Sequence, residues 1–230
     1  MRRRVRVLRA LSSVLIAAGV LLLLDAGLTL VWQEPLSALY ARIHQDRLAG
    51  QLPRLRDLTE LQLRALARLR TERRRIAFLA RAEQRRVGTG GALGRISIRR
   101  MGIDFVVVQG ADPGDLRQGP GHYLGTPLPG LRGTVAIAGH RTTYLAPFRD
   151  LDQVRRGDPI VLTMPYGRFT YRTEKRQIVS PDAYDYVTAA RPYDRLALTA
   201  CHPLYSAARR IVVFARLVGV QALGRARVPV

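Results

Sequence analysis

The chain has 230 residues, 38 basic against 17 acidic side chains, four histidines, one cysteine and a formal net charge of +21. A hydrophobic content of 47% supports a packed core and excludes a wholly disordered chain. One cysteine excludes an intramolecular disulfide framework and, within one chain, a zinc site built on four cysteines or on two cysteines and two histidines. The charge points first to an anionic partner: nucleic acid, a membrane surface or an acidic polymer. Every basic residue except Lys175 is arginine, however, which reads as coding bias more than chosen chemistry. The excess is also spread along the chain, with 18 basic against 7 acidic residues over 1–92 and 20 against 10 over 93–230.

Residues 1–9 form a basic tail carrying Arg2, Arg3, Arg4, Arg6 and Arg9. Residues 10–32 are almost entirely apolar, with Ser12, Ser13, Asp25 and Thr29 as polar members. About 20 apolar residues cross a bilayer as a helix, and basic residues ahead of them favour a cytoplasmic N-terminus. Trp32 falls where an interfacial aromatic sits. The run exceeds the roughly 7–15 apolar residues of a signal peptide. Asp25 costs about 2.5–3.5 kcal/mol at helix centre, but it lies past the middle of the run. The segment is therefore expected to be an uncleaved single-pass transmembrane anchor, with residues 33–230 outside the cell.

Residues 33–92 read as an arginine-rich helical stalk and linker. Leu55, Leu58, Ala65, Leu69, Ile76 and Leu79 recur at helical steps between Pro53 and Arg86, which predicts an amphipathic helix. It reads first as a solvated stalk and second as a basic face laid on anionic lipid or wall polymer. Val87–Leu93 is glycine-rich and marks a domain boundary.

From residue 93 to 220 the period becomes strand-like. Strands are predicted at Arg95–Ile98, Ile103–Gln109, Thr134–Ala138, Ile160–Met164, Arg168–Val179, Leu196–Ala200 and Ile211–Val218. A turn at Pro165-Tyr166-Gly167 joins two of them, and one short helix is expected within Leu145–Val154. Seven or more short strands with few helices predict a mainly β sandwich or closed barrel. Residues 221–230 form a C-terminal tail. Neither a phosphate-binding loop nor a dinucleotide fingerprint is present.

Cys201 ends the Leu196–Ala200 run and is followed by His202-Pro203. A lone thiol in an exported chain is either a buried inert hydrophobe or a reactive group. His140 follows the TVAIAG run in the same way, and Arg209 and Arg210 open the next strand. Cysteine, histidine and arginine fit acyl transfer. A thiolate attacks a carbonyl, an imidazolium stabilises it and protonates the leaving amine, and a guanidinium stabilises the oxyanion.

Two stretches carry a specific resemblance: GPGHYLGTPLPGLRGTVAIAGHRTTYLAPFRDLDQVRRGDPIVL (Gly119–Leu162) and LTACHPLYSAARRIVVFARL (Leu198–Leu217). With the anchor, they most resemble a class E sortase of Gram-positive bacteria. The resemblance implies an eight-stranded sortase-type β-barrel, behind a transmembrane helix and a helical stalk, and a cysteine transpeptidase needing no metal or cofactor. The implied reaction cuts an LPxTG- or LAxTG-like sorting signal between Thr and Gly and passes the acyl group to a peptidoglycan-precursor amine. The implied partners are signal-bearing exported proteins, that amine and the lipid bilayer, not nucleic acid.

By position, Cys201 matches the family nucleophile, His140 in AGHRT its histidine and Arg210 its arginine. Arg209 is the adjacent competitor, and strand alternation sends the two arginines to opposite faces. Tyr123 in GPGHY resembles the position linked to alanine preference in the signal. Thr199, Ala200 and His202 flank the nucleophile as candidate substrate contacts. Ala200 stands where the family usually has threonine. Thr142, Thr143 and Tyr144 are candidates for the groove, while His122 and His44 read as structural or exposed. No Asp-Pro-aromatic lid precedes the domain.

The competing function is a non-catalytic basic protein binding cell wall or an anionic polymer at the membrane. Nucleic-acid binding is disfavoured by the expected topology and by an aromatic content of 7%. A papain-like protease is disfavoured because its cysteine precedes its histidine.

Overall fold

A computed structural model describes residues 2–32, 35–52, 59–189 and 191–227. The expected helix start at Pro53, with Leu55 and Leu58, lies outside the described residues, as do the side chains of Arg2, Arg3, Arg4, Arg6, Asp25, Thr29 and Trp32.

Eight strands close into a barrel, and β1 through β8 are Ala92–Ile98, Ile103–Gln109, Gly121–His122, Thr134–Ala138, Pro159–Met164, Gly167–Val179, Arg195–His202 and Arg209–Ala222. Their order round the barrel is β1-β2-β3-β4-β7-β8-β6-β5. β2 with β3 and β4 with β7 pair in parallel, and the other neighbours are antiparallel. The seven strands expected from sequence are all present, most of them longer at their ends. β3 escaped prediction because two residues cannot show a period. Within Leu145–Val154 the helix is only a 3-10 turn, Leu151–Gln153.

The barrel interior is filled by Ile96, Val135, Ile137, Leu162, Phe169, Leu196, Leu198, Ile211 and Val213, among others. The alternate residues Ala136, Ala197, Val212 and Phe214 form a second cluster with Val187. That residue belongs to a short helix, Tyr184–Thr188. β4 and β7 are thus covered on both faces, which is why TVAIA and LALTA are continuous apolar runs. Two-sided burial fixes their register, because a one-residue slip would exchange the two cores.

The helices preceding the barrel are α1 (Arg2–Trp32), α2 (Pro35–Gln51), α3 (Glu60–Ala67) and α4 (Glu72–Arg86). In α1, Leu8, Leu11, Val14, Leu15, Ile16 and Leu21 to Leu24 are exposed. Among the described residues no helix is long and apolar enough to cross a membrane. The fold thus does not itself show the expected single-pass span.

The stalk expectation is corrected in two respects. The helical pattern breaks after Ala67 and restarts at Thr71, whose side chain accepts the Arg74 N–H as an N-cap. The helices also pack on the barrel: Ile76, Leu79 and Ala80 of α4 join its core, and buried Arg75 donates to the Ala226 and Leu69 carbonyls. The arginine-rich surface concealed this, because the apolar stripe is a narrow one.

α2 docks by a different device. β3 meets β2 only at Val108 and Gln109, so the outer edge of β2 is unpaired further back. The Gln45 carboxamide fills the gap. It accepts the Val106 N–H at 2.7 Å and donates to the carbonyls of Val106 at 3.0 Å and Gln118 at 2.8 Å. Leu48 adds apolar contact with Ala92, Val106 and Val108.

Candidate active site

The parallel pairing of β4 with β7 aligns Ala138 with Thr199. The Gly139 N–H continues it, donating to the Thr199 carbonyl at 3.0 Å. His140 lies two residues beyond Ala138, and Cys201 two beyond Thr199. The two sequence candidates therefore leave the same end of the barrel on neighbouring strands.

The antiparallel register of β7 with β8 sets Cys201 opposite Arg210 and His202 opposite Arg209. Directly opposed residues share a sheet face and successive ones alternate. Arg210 is accordingly on the face of Cys201, and Arg209 is on the other. Cys201 is partly exposed. The Arg210 guanidinium donates to the carbonyls of Ala207 and Arg209, at 2.9 and 3.1 Å.

Alternation also sorts the residues before the thiol. Ala200 is buried with the barrel core. Thr199 takes the face of Cys201, where its hydroxyl pairs with that of Tyr123 at 2.9 Å. Thr199 is itself buried, so Tyr123 is the member of the pair nearer the surface.

His140 is half-buried. Burial, together with the positive charge of Arg117, lowers its pKa from the ordinary histidine value. Its Nε2 is buried with no hydrogen-bond partner among the described residues. Tyr144 packs against the imidazole with ring centroids 5.4 Å apart.

His122 plays another part. It is buried, with Nδ1 2.9 Å from the Gln109 Oε1 and Nε2 2.9 Å from the Thr126 hydroxyl, and burial pushes its pKa down to about 4. His44 stacks on Tyr40 at 4.2 Å within α2. Among the described residues no cluster of three or more histidine, cysteine, aspartate or glutamate side chains is placed to hold a metal ion.

Sequence reading passed over Arg141, which is buried. It donates to the Arg149 carbonyl at 2.8 and 3.0 Å and pairs with Asp152 at 3.0 Å. One nitrogen also reaches the Cys201 carbonyl at 3.5 Å and His202 Nδ1 at 3.4 Å. Arg141 thus ties the loop after His140 to the end of β7. Its place beside His140 in AGHRT was the available signal. Arg117, Ser37 and Tyr40, which reach the same loop from distant segments, carried none.

The chain matches the Sortase domain family over residues 96–218. Sortase D of Bacillus subtilis (strain 168) is 32% identical over 133 residues, covering 56% of this chain and 66% of that protein, just under two thirds of its length. Among solved structures, sortase E from Streptomyces avermitilis is 32% identical with a TM-score of 0.54, covering 59% of this chain and 93% of that one. The SrtF sortase from Corynebacterium diphtheriae is 28% identical with a TM-score of 0.57, covering 62% and 92%.

Proposed function

We propose, because the chain belongs to the sortase family, that it is a cysteine transpeptidase acting through Cys201, His140 and Arg210. The observation that carries this reading is the register placing Cys201 opposite Arg210 on β7 and β8, with His140 leaving the parallel neighbour β4. In the first step the Cys201 thiolate attacks the threonine carbonyl of an LPxTG- or LAxTG-like signal. The C–N bond to glycine breaks, the amine leaves with a proton from the His140 imidazolium, and a thioester remains on Sγ. In the second step an amine attacks the thioester, giving up a proton to His140 as Cys201 leaves. The acceptor is an amine of a peptidoglycan precursor. Arg210 stabilises the oxyanion of each tetrahedral intermediate by turning from the Ala207 and Arg209 carbonyls toward the substrate.

The GPGHY and AGHRT motifs and the sortase E likeness support class E. The Tyr123–Thr199 pair supports a role for Tyr123 in choosing the second residue of the signal. The exposed apolar side chains of α1, following a basic tail, support membrane attachment through the N-terminal segment, with the barrel outside the cell. The test is mass spectrometry of the intact protein after brief exposure to a signal peptide. Wild-type protein is expected to gain the mass of the N-terminal peptide fragment. Absence of that adduct at Cys201, with the peptide nevertheless cut, would refute the assignment.

A further inference from the structure

A histidine used for proton transfer is ordinarily held in orientation by a hydrogen bond at the ring nitrogen away from the reaction. His140 lacks one at Nε2 among the described residues. What does lie against the imidazole is the ring of Tyr144, at 5.4 Å and tilted by 36°.

Tyr144 is itself clamped from three directions. Tyr40 of α2 meets its ring edge-on, with centroids 6.1 Å apart and planes at 72°. The Ser37 hydroxyl, also on α2, accepts the Tyr144 N–H at 3.3 Å. The Arg117 guanidinium lies 6.0 Å over the ring. The clamped backbone is unusual: Tyr144, Leu145 and Ala146 have φ of 49°, 64° and 42°, left-handed values that side-chain-bearing residues adopt only under external restraint. Arg141, at the other end of the loop, is pinned to Arg149 and Asp152. α2 provides a firm base, since Gln45 and Leu48 fasten it to β2.

We propose that Tyr144, held by Ser37 and Tyr40, is the positioning residue of His140, fixing the imidazole by ring packing where other enzymes use a hydrogen bond. α2 is then part of the catalytic apparatus, although it lies outside the segment matched to the family. The inference rests on the catalytic reading of His140 and fails independently of it.

The test uses the full chain and measures kcat and KM for signal-peptide cleavage, together with the NMR titration of the His140 ring protons, identified by their loss in His140→Gln. Tyr144→Ala is expected to lower kcat by about tenfold at nearly unchanged KM, and to raise the His140 pKa toward the ordinary value as cover is lost. Tyr144→Phe, which keeps the ring, is expected to stay within about twofold of wild type on both readouts. Tyr40→Ala and Ser37→Ala are expected to shift both in the direction of Tyr144→Ala, and they carry the test if that variant does not fold. Wild-type kcat and an unmoved His140 titration in Tyr144→Ala, or a Tyr144→Phe as slow as Tyr144→Ala, would overturn the positioning role. If His140→Gln itself cleaves at the wild-type rate, it is the catalytic reading that falls.

Discussion

Cys201 and Arg210 are direct cross-strand partners on β7 and β8, while Arg209 is paired with His202 on the opposite face. Two adjacent arginines, of which position in the motif favours Arg210, are separated by which side of the sheet they leave. Arg210→Ala is expected to lower kcat/KM by about 10²–10³-fold, the usual effect of removing one oxyanion donor. Arg209→Ala is expected to change it by only a few-fold. Steady-state kinetics of the two variants on one peptide decide the matter, and a larger loss in Arg209→Ala would reverse the assignment.

Tyr123 and Thr199 join their hydroxyls at 2.9 Å, two residues along β7 from Cys201. Tyr123→Phe removes one partner of that bond and keeps the ring, so a stability loss of about 0.5–1.5 kcal/mol is expected in urea unfolding. The same variant is expected to alter the ranking of signals differing at their second residue, read as kcat/KM ratios across a small peptide set. An unchanged ranking would make the pair purely structural.

His122 is expected to give the fold a pH-dependent stability. Its folded pKa of about 4 lies below the ordinary value of 6.5, so the unfolded chain binds the proton more tightly. The stabilisation is fully present above about pH 6.5 and is lost as pH falls toward the folded pKa near 4, by on the order of 3 kcal/mol. His122→Gln is expected to flatten unfolding free energy over that window, as measured by denaturant titration at several pH values. An equally steep fall in the variant would place the cause elsewhere.

Gln45 completes the open edge of β2, and its loss leaves the Val106 N–H and carbonyl without that partner. Gln45→Ala is expected to cost about 1–3 kcal/mol, the usual result of orphaning such groups. Hydrogen exchange is expected to quicken first in α2. Protection unchanged there would show that Leu48 and the aromatic contacts suffice to dock the helix.

The barrel strands other than β3 were readable because each has two-residue alternation or a short apolar run bounded by turn residues, as at Pro165-Tyr166-Gly167. β3 and the docking of α2 were not, since one is two residues long and the other depends on a single glutamine reaching a strand edge. The helices of the arginine-rich segment were half legible. Their periodicity showed, but the caps at Thr59 and Thr71 divide one expected helix, and Ile76 and Leu79 turn it onto the barrel. Within the site, Cys201, His140 and Arg210 stood out through motif and position. Tyr40 and Ser37 approach from 100 residues or so away, and only tertiary contact reveals them.

Thioester formation on Cys201 is the central claim, and intact-protein mass spectrometry tests it most directly. Wild-type protein mixed with a signal peptide is expected to carry the acyl fragment on Cys201 and to release it when an amine acceptor is added. Cys201→Ala, folded by circular dichroism, is expected to carry no adduct and yield no product. Product formed by Cys201→Ala at the wild-type rate would contradict the account.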